Sequence, residues 1–166
     1  MATQTPGLPG LPAGQAETVP RRRALVALLL GSVAAAGCVL PARSTAAYRG
    51  KAVATTTAAQ TAVQTAVFEA DLASRGRVTA AGASVTFSDA ETDAEGAQAA
   101  FDSIQPPDSV SDSLRNRLDN ILSDAVDALT TLRIVARRGD LDKLAAPAKS
   151  AREAARRLDD FQQDNE

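Results

Sequence analysis

Histidine and tryptophan are absent from this 166-residue chain, and cysteine occurs once. Without histidine the commonest general base and the imidazole metal ligand are missing. A single cysteine excludes a disulfide within the chain. Aromatic residues make up 3% of the sequence (Tyr48, Phe68, Phe87, Phe101 and Phe161), so any core must be built mainly from small aliphatic side chains. Neither Gly7-Leu8-Pro9-Gly10 nor Arg75-Gly76-Arg77 has the spacing of a phosphate-cradling loop. Lys51, Lys143 and Lys149 remain as possible bases, but no serine lies in a motif that would position it as a nucleophile. The expectation is a protein without catalytic residues, without a cofactor and without enzymatic activity.

An excess of positive charge is also lacking after residue 43. The net charge is −2, and four of the arginines (Arg21, Arg22, Arg23 and Arg43) precede residue 44. Residues 44–166 therefore hold 14 of the 18 basic groups and 19 of the 20 acidic ones, a net of −5. A mildly acidic domain repels phosphate backbones, which argues against nucleic-acid binding.

One long apolar run is present. Residues 1–20 are rich in Pro, Gly and Thr without periodicity and read as a disordered tail. Arg21-Arg22-Arg23 follows, then the 17 uncharged residues Ala24–Leu40. A positive stretch, an apolar stretch and small residues make residues 21–40 a signal peptide or membrane anchor. The arginines should stay on the cytoplasmic side, which sends residues 41–166 outward as an extracytoplasmic domain at the cell membrane. Ala35-Ala36-Gly37-Cys38 resembles the bacterial lipobox, and the resemblance implies lipidation at Cys38. Ala35 stands where that family prefers leucine, and Val39 is unusual after a lipidated cysteine. Two other fates stay open: an uncleaved anchor with Pro41 breaking the helix beyond it, or cleavage and release. Arg22-Arg23-Ala24-Leu25-Val26 also resembles a twin-arginine export signal.

Four helical stretches follow. Val53, Ala59, Val63, Ala66, Val67, Ala70 and Ala73 place a small-residue stripe along Ser44–Ser74, closed by Gly76. Val78–Val85, with Gly82, reads as a connector. Phe87, Ala90, Ala94, Ala97, Phe101 and Ile104 form the second stripe. Ser88-Asp89-Ala90-Glu91 reads as the capping box that opens it, and Gln105-Pro106-Pro107 as its stop. The third runs from about Ser111 to Arg138, with Leu114, Leu118, Ile121, Leu122, Ala125, Leu129, Leu132 and Ala136 inward and Gly139 as its cap. Asp140 opens the fourth, with Leu141, Leu144, Ala148, Ala151, Ala155, Leu158 and Phe161 inward, and Pro147 should kink it or split off a short first piece. Short loops between such helices predict an all-α fold, an antiparallel bundle of three to four helices after the hydrophobic segment.

Three surface features invite a functional reading. Asp89, Glu91, Asp93 and Glu95 contain carboxylates four residues apart, as a hard cation requires, but no second element supplies ligands, so they read as an acidic helix start with no metal. Arg133, Arg137, Arg138, Arg152, Arg156 and Arg157 are interleaved with Asp127, Asp140, Asp142 and Glu153, which predicts ion pairs within helices rather than a basic patch. Arg138-Gly139-Asp140 spells a cell-adhesion tripeptide, yet each residue suits a helix end.

Asp89-Ala90-Glu91, Phe101-Asp102-Ser103-Ile104-Gln105-Pro106-Pro107 and Leu132-Arg133-Ile134-Val135-Ala136-Arg137-Arg138 together resemble uncharacterised exported, lipoprotein-like helical proteins of high-GC Gram-positive bacteria. The resemblance spans roughly residues 38–163 and implies a location and a fold, with no activity or site residues. The function expected is a membrane-tethered interaction or structural module facing an envelope protein, in an oligomeric state that the sequence leaves open. The alternative is an extracytoplasmic sensor with a small-ligand pocket between helices, lined by Phe87, Phe101, Leu118 and Leu122.

Overall fold

Ser44, Thr79 and Asp108 sit in extended backbone, and each accepts a hydrogen bond on its side-chain oxygen from the amide three residues on, at 3.2, 3.1 and 2.8 Å. A helix follows each cap, as the free amides of a first turn require. The structure, a computed structural model, describes residues 42–166. The tail, the apolar run and Cys38 lie outside the described residues.

The described chain forms helices α1 (Thr45–Ser74), α2 (Ala80–Asp102), α3 (Ser109–Arg137) and α4 (Ala145–Asn165), with a 3₁₀ turn at Leu141–Lys143 before α4. The all-helical expectation holds for these residues. Helix α1 packs on α2 and α4, α2 on α3 and α3 on α4, while α1 also meets α3 across the centre. Cross-links give the pairing direction. Glu91 and Gln98 of α2 bond Thr130 and Asp119 of α3, and Gln60 and Asp71 of α1 bond Asp159 and Arg152 of α4; partner numbers fall as residue numbers rise, so these neighbours run antiparallel.

Gly76 and Gly139 have φ of +66° and +77°, the left-handed region open to glycine. Behind them Arg77 N–H bonds Leu72 O at 2.9 Å and Asp140 N–H bonds Val135 O at 3.2 Å, which closes α1 and α3 with Schellman turns. Both ends agree with the sequence. Arg138-Gly139-Asp140 is thus a helix terminus, and the Asp140 carboxylate pairs with Lys143 at 2.9 Å.

The start of α2 does not agree. The helix begins at Ala80, inside the expected connector, and Ser88-Asp89-Ala90-Glu91 lies in its middle. Thr79 caps it through Gly82 N–H, and Ala83 buries beside Phe87 on the same face. That extra turn extends the apolar stripe, and the gain outweighs the modest cost of a glycine near a helix start. The acidic residues therefore do not sit in the first turn. Pro147 does split off a short first piece: the 3₁₀ turn precedes it, and as third residue of α4 it occupies a position whose amide has no helical partner. Asp140 consequently opens the 3₁₀ turn and not α4 itself.

Leucines of α3 fill the centre. Leu118, Leu122, Leu129 and Leu132 are buried against the small face of α1, formed by Ala52, Thr56, Ala59, Val63 and Ala66. Tyr48 and Phe101 close one end with ring centroids 5.2 Å apart, tilted by 46°. Leu118→Ala should lower unfolding stability by about 2–5 kcal/mol in a denaturant titration, because the packed neighbours cannot close the void. Phe68→Ser, at an exposed position, should change it by less than about 0.5 kcal/mol.

Candidate functional site

Glu91 is charged, yet it lies on the inner side of α2 and is 8% exposed. Its carboxylate accepts hydrogen bonds from Thr130 Oγ1 at 2.7 Å, from Arg133 Nη2 at 3.1 Å and from Arg133 Nε, all on α3. Two forked bonds of this kind are the strongest that a side-chain pair makes. The hydrogen bond from Arg133 holds the Glu91 carboxyl below the usual glutamate range, against the upward push of burial, and Thr130 helps. The same contact raises the Arg133 guanidinium. Glu91 is thus engaged on both oxygens, a clamp between α2 and α3 rather than a base awaiting substrate. The sequence signal was present: Glu91 falls four residues after Phe87 and three before Ala94, on the apolar stripe.

The remaining acidic residues of α2 do not converge with it. Asp89 and Asp93 line the groove toward α1. Among the described residues no group of three or more ligating side chains can hold a metal ion. The arginines correct the expectation of ion pairs within helices. Arg133 pairs with Glu91, Arg152 with Asp71 of α1 at 2.7 Å, and Arg157 with Asp124 of α3, all between helices. Between residues three or four apart the pairs are Asp71–Arg75, Lys149–Glu153 and Asp140–Lys143. Exposed pairs like these contribute little each, but those that cross helices hold register.

Phe87, Phe101, Leu118 and Leu122, expected to line a pocket if one existed, are fully buried in the core. The described hollows lie on the surface. One, of about 600 Å³, runs between α1 and α2 with Thr61, Ala62 and Thr65 on one wall and Asp89, Ala90 and Asp93 on the other. Phe68 and Val85, on these two helices, are 66% and 62% exposed. Both point away from the core. No protein family, curated protein or solved structure matches the chain. Among the described residues no helix is long and apolar enough to cross a membrane.

The Glu91 clamp has a pH signature. A carboxyl held low in the folded chain stabilises it above the unfolded value, and that contribution is lost as pH falls through the folded value. Glu91→Gln should melt below the unmodified chain at neutral pH, and the gap should close on acidification. A gap that stays constant with pH would show that ionisation of Glu91 does not matter.

Proposed function

We propose that this chain is a membrane-tethered extracytoplasmic module of the cell envelope that works by binding another protein through a helix face. Its structural support is the pair of exposed apolar residues, Phe68 and Val85, on a bundle whose central leucines and phenylalanines are packed together. Burial of Phe87, Phe101, Leu118 and Leu122 in the core supports an outer surface as the working part. The tethering half of the reading comes from the sequence Arg21–Cys38, with its arginines, apolar run and lipobox-like end.

The two halves have separate tests. Intact mass of the protein recovered from membranes should show a chain that begins at diacylated Cys38, and Cys38→Ser should abolish that species. A full-length chain with an unmodified Cys38 would replace the lipid by an uncleaved anchor. A photo-crosslinking residue at position 68 should give one discrete adduct in the envelope, absent when the crosslinker stands at the exposed position 156. Equal labelling from both positions would remove the docking face.

A further inference from the structure

Residues 52–74 and 80–102, most of α1 and all of α2, hold seven acidic residues and no lysine or arginine. Residues 109–166 mix ten basic with eleven acidic residues, so the imbalance belongs to the α1–α2 side of the bundle. Asp71 is matched by Arg75 and Arg152, Glu91 by Arg133 and Asp102 by Arg115. Glu69, Asp89 and Asp93 are in no ion pair among the described residues. Asp89 and Asp93 stand on the wall of the 600 Å³ groove between α1 and α2. Building on the docking face proposed above, we infer that this groove seats a basic amphipathic helix of the partner protein.

Shape and register point to a helix. Residues 75–79 join α1 to α2. Counted from the joined ends, Ser74 and Ala80, Thr65 and Asp89 are both nine residues away, and Thr61 and Asp93 both thirteen. The groove thus runs along the helix axes, with threonines on one wall level with aspartates on the other. Ala58, Ala62, Ala90 and Ala97 line it and add no bulk that would hold a helical occupant away. Phe68 lies three residues beyond Thr65, and Val85 four before Asp89, so each continues its wall by one turn. They stand six and five residues from the joined ends, at one level, and give the groove an apolar end. The ten residues from Ala58 to Phe68 span about 15 Å, roughly three turns of an occupant.

Charge selects the occupant. Asp89 and Asp93 are four residues apart, about 6 Å along the axis, which matches two basic residues one turn apart on a facing helix. Glu69, half-buried four residues after Thr65, adds a third carboxylate beside the groove. A field of one sign draws a partner of the other sign and repels its own. A second copy docked by the same face would set Asp89 and Asp93 against carboxylates, and residues 109–166 of that copy offer only mixed charge. An anionic lipid surface is repelled in the same way. The complementary surface carries lysine or arginine opposite Asp89 and Asp93 and an apolar side chain one turn further on, against Phe68 and Val85.

The test titrates the full chain, in neutral detergent, with two alanine-rich helical peptides of equal length. Both carry one leucine face; one has lysines four residues apart beside it, the other glutamates at the same places. The lysine peptide should bind saturably, one per chain, and shift the amides of Thr61, Thr65, Asp89 and Asp93, while the glutamate peptide should not bind. Asp89→Asn/Asp93→Asn should weaken binding about tenfold at low salt, and the difference should shrink as sodium chloride is raised. Phe68→Ser should weaken it at every salt concentration. Asp142→Asn/Asp160→Asn, the same change in net charge elsewhere, should leave it unchanged. Equal weakening by the two double variants, shifts that map to another face, or no saturable binding overturns the groove as the site. The crosslinker at position 68 separates this inference from the docking face itself. A discrete adduct within a basic segment of the partner supports the groove's occupant as assigned. An adduct within a neutral or acidic segment overturns the basic helix and keeps the docking face, whereas no discrete adduct overturns both.

Discussion

Alanine on the inner face of α1 is the constraint on which the rest of the bundle depends. Ala52, Ala59 and Ala66 leave room for α1 to approach α3 directly across the centre, where larger side chains would hold the two apart. The leucines of α3 then supply the bulk that α1 lacks. Large opposite small is how a core reaches crystal-like density without strain. The arrangement also explains why the two helices differ in amphipathic character. Helix α3 sorts leucine from charge sharply, while α1 is alanine and threonine almost all round. Several threonines of α1 bond their own helix, as Thr56 does to Ala52 O at 2.9 Å, so polar groups enter without requiring partners elsewhere.

Such a core is insensitive to direction along the helix axis, because alanine steps resemble one another. Polar cross-links supply the missing register. Glu91 meets Arg133 and Thr130 at one level of the α2–α3 seam, and Gln98 meets Asp119 at another. Sliding α2 by a turn would leave the Glu91 carboxylate against apolar neighbours without a donor, a strongly unfavourable state. Stability and specificity are thus divided between different residues: leucines for the first, a few forked polar contacts for the second.

Much of this architecture was legible in the sequence, for local reasons. Gly76 and Gly139 marked helix ends because a left-handed turn is a requirement of one residue and its immediate neighbours. The α3 leucines were legible through their spacing. The start of α2 was not. Ser88 with Glu91 three residues later forms a persuasive capping pair, and only packing of Ala83 beside Phe87 favours Thr79 instead. Ion pairs were misread for a related reason. Sequence spacing reveals partners on one helix, whereas Arg152 finds Asp71 and Arg157 finds Asp124 through folding. Cys38 and the apolar run lie outside the described residues, so their reading stands on sequence alone.

Thr45, which begins α1, and Asn165, which ends α4, line one surface hollow, so the two ends of the helical unit meet. The four helices accordingly close into a ring in which each is adjacent to the next and α4 returns to α1. A ring has no privileged starting point. The order in which its members are synthesised can be rotated without separating any packed pair, provided that the old ends are joined and a new break falls in an exposed turn. The turn at Arg75-Gly76-Arg77, exposed and at the opposite end of α1, meets that condition. A circular permutant opened there would carry its termini at the end opposite Thr45, and the same fold would be displayed upside down on whatever holds it.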